Sequence, residues 1–189
     1  VVGGVRGVCG VCSVGGGAGD DFFGGGGDSG LLAGGAGDDT LLGAAGNDVL
    51  EGGGGDDNLY GGVGSDTASF TDSDTDLEAD LVKGEAESAG IGFDTLTGIE
   101  NVSAGGGDDF LRGDDSDNRL DGGAGDDLLV ASGGNDELIG GDGIDTLSFA
   151  SGIAYSSRLL LHIYAVHYLP TLSPVRPHPH TQINHTNPL

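Results

Sequence analysis

Along most of the chain one large apolar residue recurs every ninth position, set among glycines and aspartates. In a first run these positions are Phe23, Leu32, Leu41, Leu50, Leu59 and Ala68. In a second run they are Leu111, Leu120, Leu129, Leu138 and Leu147. Each is embedded in the unit G-G-x-G-x-D-x-U-x, where U is the apolar residue. The units run without a gap from Gly16 to Ser69 and again from Ala104 to Ser148. A single apolar position between glycine-rich turns predicts a very short strand with one inward side chain. An exact period of this kind is the signature of repeat architectures.

The repeats divide the chain. Residues 1–15 are off-pattern, 16–69 are a first repeat block, 70–103 a spacer, 104–150 a second block, and 151–189 an off-pattern tail expected to be disordered. The spacer is expected to continue the repeat architecture: Leu77, Ala79 and Leu81 alternate, and Ile99 and Val102 suggest another strand. A longer period is visible too. Asp66-Thr67-Ala68-Ser69-Phe70 closes the first block and Asp145-Thr146-Leu147-Ser148-Phe149 the second.

Charge sharpens this picture. The formal net charge is -25, and all 31 acidic residues lie between Asp20 and Asp145. Such a chain is a poor partner for nucleic acid, whose phosphates call for Lys and Arg, and for anionic membrane surfaces. The most apolar stretch, 158–169, is too short to span a bilayer and contains His162 and His167. The 42 glycines lose much conformational entropy on folding, and no large side-chain core is available to offset it. A divalent cation that neutralises the carboxylates is the natural missing component. The sequence begins at Val1 and contains no Met, so it reads as a fragment or a processed chain.

The repeated unit resembles the RTX, or hemolysin-type, calcium-binding nonapeptide repeat. The spacer's Asp94-Thr95-Leu96-Thr97-Gly98-Ile99-Glu100-Asn101-Val102 resembles the element that separates repeat blocks in that family. The fold class this implies is all-β, a parallel β-roll (β-solenoid) built from Gly/Asp-rich nonapeptides. Each unit is a turn, a strand and half a coil. Alternate units then stack, which places Asp21, Asp39 and Asp57 in one column and Gly30, Asp48 and Asp66 in the opposite one. In the second block the columns are Asp109, Asp127, Asp145 and Asn118, Asp136. The resemblance implies Ca²⁺ between successive turns of a column, held by these side chains and by turn carbonyls; carboxylates are the hard oxygen ligands the ion favours. A weak site or none is expected at the level of Gly30, and a weaker one where Asn118 pairs with Asp136. The acids one position earlier, such as Asp20, Asp38, Asp56, Asp108 and Asp126, are expected to face solvent.

Other motifs carry less. Cys9 and Cys12 form a CGVC pair with no βαβ pattern around it, against a redox role. Gly27-Asp28-Ser29-Gly30 mimics a serine-hydrolase nucleophile but lies inside a repeat unit. Asp72, Asp74 and Asp76 mimic an EF-hand start, yet Leu77 stands where that loop needs Gly and Lys83 where it needs Glu. His178 and His180 read as part of a disordered segment and not as a transition-metal site.

The expected function is therefore calcium binding that drives folding of a secreted, extracellular repeat domain, with no enzyme activity of its own. Stacked carboxylates about 5 Å apart repel by roughly 3 kcal/mol at an effective dielectric near 20. One buried Leu per unit returns only about 1.5–3 kcal/mol. A disordered calcium-free state and a β-rich calcium-bound state follow. By resemblance, such repeats accompany type I secretion in Gram-negative bacteria, so the secretion machinery is the implied partner. The alternatives are a structural or adhesive surface protein, and an accessory domain of a secreted toxin, protease or lipase.

Overall fold

The computed structural model describes residues 13–149, together with the backbone of two short stretches, Arg158–Leu159 and Ala165–Val166. Expectations for the CGVC pair, for His178 and His180, and for the rest of both termini lie outside these residues.

Among the described residues there is no helix. The first block forms β1 (Ser13–Ala18), β2 (Phe22–Gly24), β3 (Leu31–Ala36), β4 (Thr40–Ala45), β5 (Val49–Gly54), β6 (Asn58–Val63) and β7 (Thr67–Ser69). Strands alternate between two sheets, so β1, β3, β5 and β7 pair in one and β2, β4 and β6 in the other. All these pairings are parallel, and the register is set by two units: Leu32 stands beside Leu50, and Leu41 beside Leu59. One coil is thus 18 residues long. The chain is a parallel β-solenoid.

The spacer forms β8 (Glu78–Asp80), β9 (Glu85–Ser88), β10 (Gly92–Thr97) and β11 (Asn101–Ser103). β11 lies in the first sheet between β7 and β13 (Arg119–Ala124) of the second block. In the second sheet β10 runs parallel to β6, β9 runs antiparallel to it, and β8 returns parallel to β12. The second block adds β12 (Phe110–Arg112), β13 (Arg119–Ala124), β14 (Leu128–Ala131), β15 (Glu137–Asp142) and β16 (Ile144–Phe149). The second sheet therefore gains two more strands than the first at the spacer. In the segment expected to be off-pattern, β17 (Arg158–Leu159) pairs with β15 and β18 (Ala165–Val166) with β16, both in parallel. Backbone pairing needs no particular side chain, so it extends past the last repeat at these two points.

The core is the pair of inner faces. Phe23, Leu41, Leu59, Leu96, Ala79, Leu111 and Leu129 line one sheet, and Leu32, Leu50, Ala68, Val102, Leu120 and Leu138 the other; all are buried. Leu147 is only partly buried, because it sits on the last full strand of its sheet. Glycines two and four positions into most units take positive φ, as at Gly35 (117°) and Gly37 (125°). L-residues avoid that region. Ala44, at 80°, is the one non-glycine among the described residues that does so.

Candidate metal centre

The sixth residue of each unit precedes a strand and turns inward beneath the backbone of its neighbour. Where a repeat stands one coil before it, the Oδ1 of an inward aspartate accepts the N–H of the residue 18 positions earlier. Asp39 takes that of Asp21 (2.7 Å), Asp57 that of Asp39 (2.8 Å), and Asp66 that of Asp48 (2.7 Å). In the second block Asp127 takes that of Asp109 (2.8 Å), Asp145 that of Asp127 (3.1 Å), and Asp136 that of Asn118 (3.1 Å). Asp48 likewise accepts from Gly30 (2.7 Å). Each side chain named above as a candidate ligand is buried: Asp21, Asp39, Asp48, Asp57, Asp66, Asp109, Asn118, Asp127, Asp136 and Asp145.

Only half of each carboxylate is used. The Oδ2 atoms of Asp39, Asp48, Asp57, Asp66, Asp109, Asp127 and Asp136 are buried without a hydrogen-bond partner. A buried, unpartnered carboxylate oxygen is costly. Asp80 gives the contrast within the same fold. Its Oδ1 accepts the N–H groups of Val82 (2.9 Å) and Lys83 (3.2 Å), and its Oδ2 lies 3.4 Å from the Arg112 guanidinium. The inward aspartates have no such cation.

What faces the Oδ2 of Asp39, Asp48 and Asp127 is the first glycine of the unit and a carbonyl from the next coil. A Cβ on Gly34 would strike Asp39 Oδ2 and lie 2.6 Å from the Gly52 carbonyl oxygen. One on Gly43 would lie 2.7 Å from Asp48 Oδ2 and 2.5 Å from the Gly61 carbonyl. The same pairing of carboxylate and carbonyl occurs at Gly16, with Asp21 and Gly34, and at Gly122, with Asp127 and Gly140. The residues fit a hard cation: two kinds of oxygen converge on a cradle that only glycine leaves open. Among the described residues no three His, Cys, Asp or Glu side chains converge. Backbone carbonyls are therefore needed to complete a coordination shell.

The cradles are not equal. At Gly25 the Gly43 carbonyl is present but Gly30 offers no carboxylate. Asn118, expected to offer a neutral oxygen, has its amide engaged: Oδ1 accepts the Asp114 N–H (2.8 Å), and Nδ2 donates to the Glu100 carbonyl (2.9 Å). The amide N–H does there, for one carbonyl, what a cation would do. Alanine replaces the cradle glycine ahead of Asp109 and Asp136, at Ala104 and Ala131.

Burial dominates the electrostatics. It pushes Asp57 and Asp127 up to about 6, and Asp94 and Asp109 up to about 7. The accepted N–H bond opposes the shift, and neighbouring carboxylates add to it. Asp39, Asp66, Asp136 and Asp145 are raised in the same direction, again mainly by burial. The preceding acids, Asp20, Asp38, Asp56, Asp108 and Asp126, are exposed. They are not idle, because they form a second ladder of opposite sense. Asp38 Oδ1 accepts the Asp56 N–H (3.0 Å), and Asp108 Oδ1 the Asp126 N–H (2.9 Å). Ser29 and Asp76, singled out in the hydrolase-like and EF-hand-like motifs, are rungs of this ladder: they accept from Asn47 (2.9 Å) and Asp108 (2.9 Å).

Asp94 is a residue that the nonapeptide reading missed. Its Oδ1 accepts the Asp57 N–H (2.9 Å), 37 residues away, and its Oδ2 is buried and unpartnered. The signal was present: Gly90, Gly92 and Asp94-Thr95-Leu96 repeat the spacing of Gly141, Gly143 and Asp145-Thr146-Leu147, with Ala89 in place of the unit's first glycine.

A glycine-paved solenoid with carboxylate columns inside its turns defines a cation-binding repeat protein. Residues 33–68, 94–129 and 113–147 match the family model of the RTX calcium-binding nonapeptide repeat (4 copies), so the chain carries RTX calcium-binding repeats. No curated protein matches the chain.

Proposed function

We propose that this chain is a calcium-dependent folding domain of a secreted protein, ordered by the ion outside the cell and unfolded where calcium is scarce. One observation carries the reading: buried Asp Oδ2 atoms, such as that of Asp39, lie without a partner beside a glycine carbonyl of the next coil. Asp21, Asp39, Asp48 and Asp127 would hold the ion, each with the next coil's glycine carbonyl beside it. Bound calcium supplies the positive charge that their stacking lacks. Because the columns exist only in the coiled form, binding free energy becomes folding free energy. Extracellular calcium modules work at about 10⁻⁴–10⁻³ M, a range that separates the exterior from the cytosol and suits export of an unfolded chain through a type I secretion system.

The role is binding and not catalysis. The Ser29 Oγ accepts the Asn47 N–H as a rung of the exposed ladder, a structural place in the coil that supports this.

Far-UV circular dichroism of the full chain during a calcium titration, with magnesium as control, tests the proposal. The expected result is a cooperative coil-to-β transition with calcium alone. A spectrum that is already β-rich without calcium, or unchanged up to about 10 mM, ten times the upper end of that range, would rule it out.

A further inference from the structure

The first block does not end at Asp66. The backbone N–H of Asp66 donates to Glu100 Oε2 (2.9 Å), 34 residues on, whereas Gly30 and Asp48 of the same column are capped by the aspartates 18 residues ahead, Asp48 and Asp66. Glu100 comes from the spacer, one residue before β11, and replaces the sixth-position aspartate of a repeat that is not there. The cradle beneath it is intact. A Cβ on Gly61 would meet the Gly98 carbonyl oxygen and would lie 2.7 Å from Asp66 Oδ2. Asp66 is 0% exposed, and its Oδ2 has no partner. Gly98 also belongs to the spacer, and its φ of 63° is the left-handed value that turns the chain into Glu100.

From this geometry we infer that Asp66, the Gly98 carbonyl and Glu100 form a further divalent-cation site, at the seam between the first block and the spacer. This rests on the calcium reading above and extends it to residues outside the nonapeptide pattern. The donor set matches the repeat cradles: one unpartnered inward carboxylate, one carbonyl from the adjoining coil, and a second carboxylate that caps the column. Glutamate is one methylene longer than aspartate, and it reaches the Asp66 N–H from a backbone that keeps only the fourth-position glycine of the repeat, Gly98, with Thr95 and Leu96 at the first two positions. The ion held there joins β7 to β11 through residues 34 positions apart in the chain, and the site makes the spacer part of the calcium-ordered unit.

The test counts ions. Calcium bound per folded chain is measured by native mass spectrometry for the wild type, for Glu100→Gln and for the exposed control Asp108→Asn. Gln keeps an acceptor for the Asp66 N–H and removes only the charge. The expected result is one ion fewer in Glu100→Gln and no loss in the control. An unchanged count in Glu100→Gln, with the wild type binding calcium, overturns the seam site and leaves the repeat sites standing. A wild type that binds none overturns both. Should Glu100→Gln not fold, anomalous diffraction from calcium-loaded wild-type crystals decides. A peak among Asp66, Glu100 and the Gly98 carbonyl supports the site, and peaks only at the repeat cradles overturn it.

Discussion

The backbone N–H of Asp39 donates to Oδ1 of Asp57, 18 residues ahead, at 2.8 Å, and Oδ2 of Asp57 is left buried with no partner. The first contact is what a coiled backbone requires, since a buried N–H must be satisfied. The second is what the coil cannot supply from its own side chains. Fold and ligand demand thus meet in one carboxylate, whose two oxygens do different work.

Removing the charge from an inward carboxylate should therefore cost calcium. Asp127→Asn is expected to raise the calcium midpoint of the β transition several-fold and to lower the number of ions bound. Asp126→Asn, one residue away and exposed, should shift the midpoint by a clearly smaller factor, because surface charges contribute roughly 0–1 kcal/mol. Equal effects in the two variants would contradict the division of labour between the columns.

The cradle glycine is open to a steric test that leaves every carboxylate in place. Gly122 has ordinary φ, yet a Cβ there would contact Asp127 Oδ2 and lie 2.6 Å from the Gly140 carbonyl. Gly122→Ala should destabilise the calcium-loaded form by about 1–3 kcal/mol, as overpacking does. The reverse change, Ala131→Gly, opens the space beside Asp136 and should tighten calcium binding in a titration. No gain there would mean that the methyl does not obstruct Asp136.

Ala44 holds a positive φ of 80° where neighbouring coils use glycine. Left-handed backbone costs an L-residue roughly 1–2 kcal/mol, and glycine's larger unfolded-state entropy returns about 0.4–1 kcal/mol of that. Ala44→Gly should accordingly stabilise the calcium-loaded roll by up to about 1.6 kcal/mol. A lower thermal midpoint in scanning calorimetry would show that the strain is absent.

Acidity should act in opposite directions on the calcium-free and calcium-bound forms. An unfolded Asp titrates near about 3.9, whereas folding raises Asp57 and Asp127 to about 6 and Asp94 and Asp109 to about 7. Between about pH 4 and 7 the folded, calcium-free chain therefore binds more protons than the unfolded one. Its stability is greatest below that window and is lost as pH rises through it. Calcium needs the deprotonated carboxylates, so its affinity rises over the same window. The calcium midpoint at about pH 5 is expected to exceed that at about pH 7.5 several-fold. A pH-independent midpoint would mean that these groups are not the ligands.

The sequence left some of this legible and hid the rest for physical reasons. The two columns could be placed from the period, because a fixed 18-residue coil maps position directly onto space. Asp21, Asp39 and Asp57 stack in one column and Asp48 and Asp66 in the other. Asp94 and Glu100 escaped because the spacer breaks the period. Antiparallel β9 inserts two reversals, and the residues that cap Asp57 and Asp66 lie 37 and 34 positions away. The engagement of the Asn118 amide escaped as well, since it depends on where the Glu100 carbonyl points.

The sequence by itself determined the strand spacing, the inward apolar residue of each unit and the inward carboxylate two places before it. These are local consequences of glycine turns and of alternation along a short strand. Only the tertiary structure decided which oxygens remain without a partner, which cradles are open and what closes the first block. Those depend on contacts between coils, and where the repeat lapses the chain distance between partners no longer predicts their distance in space.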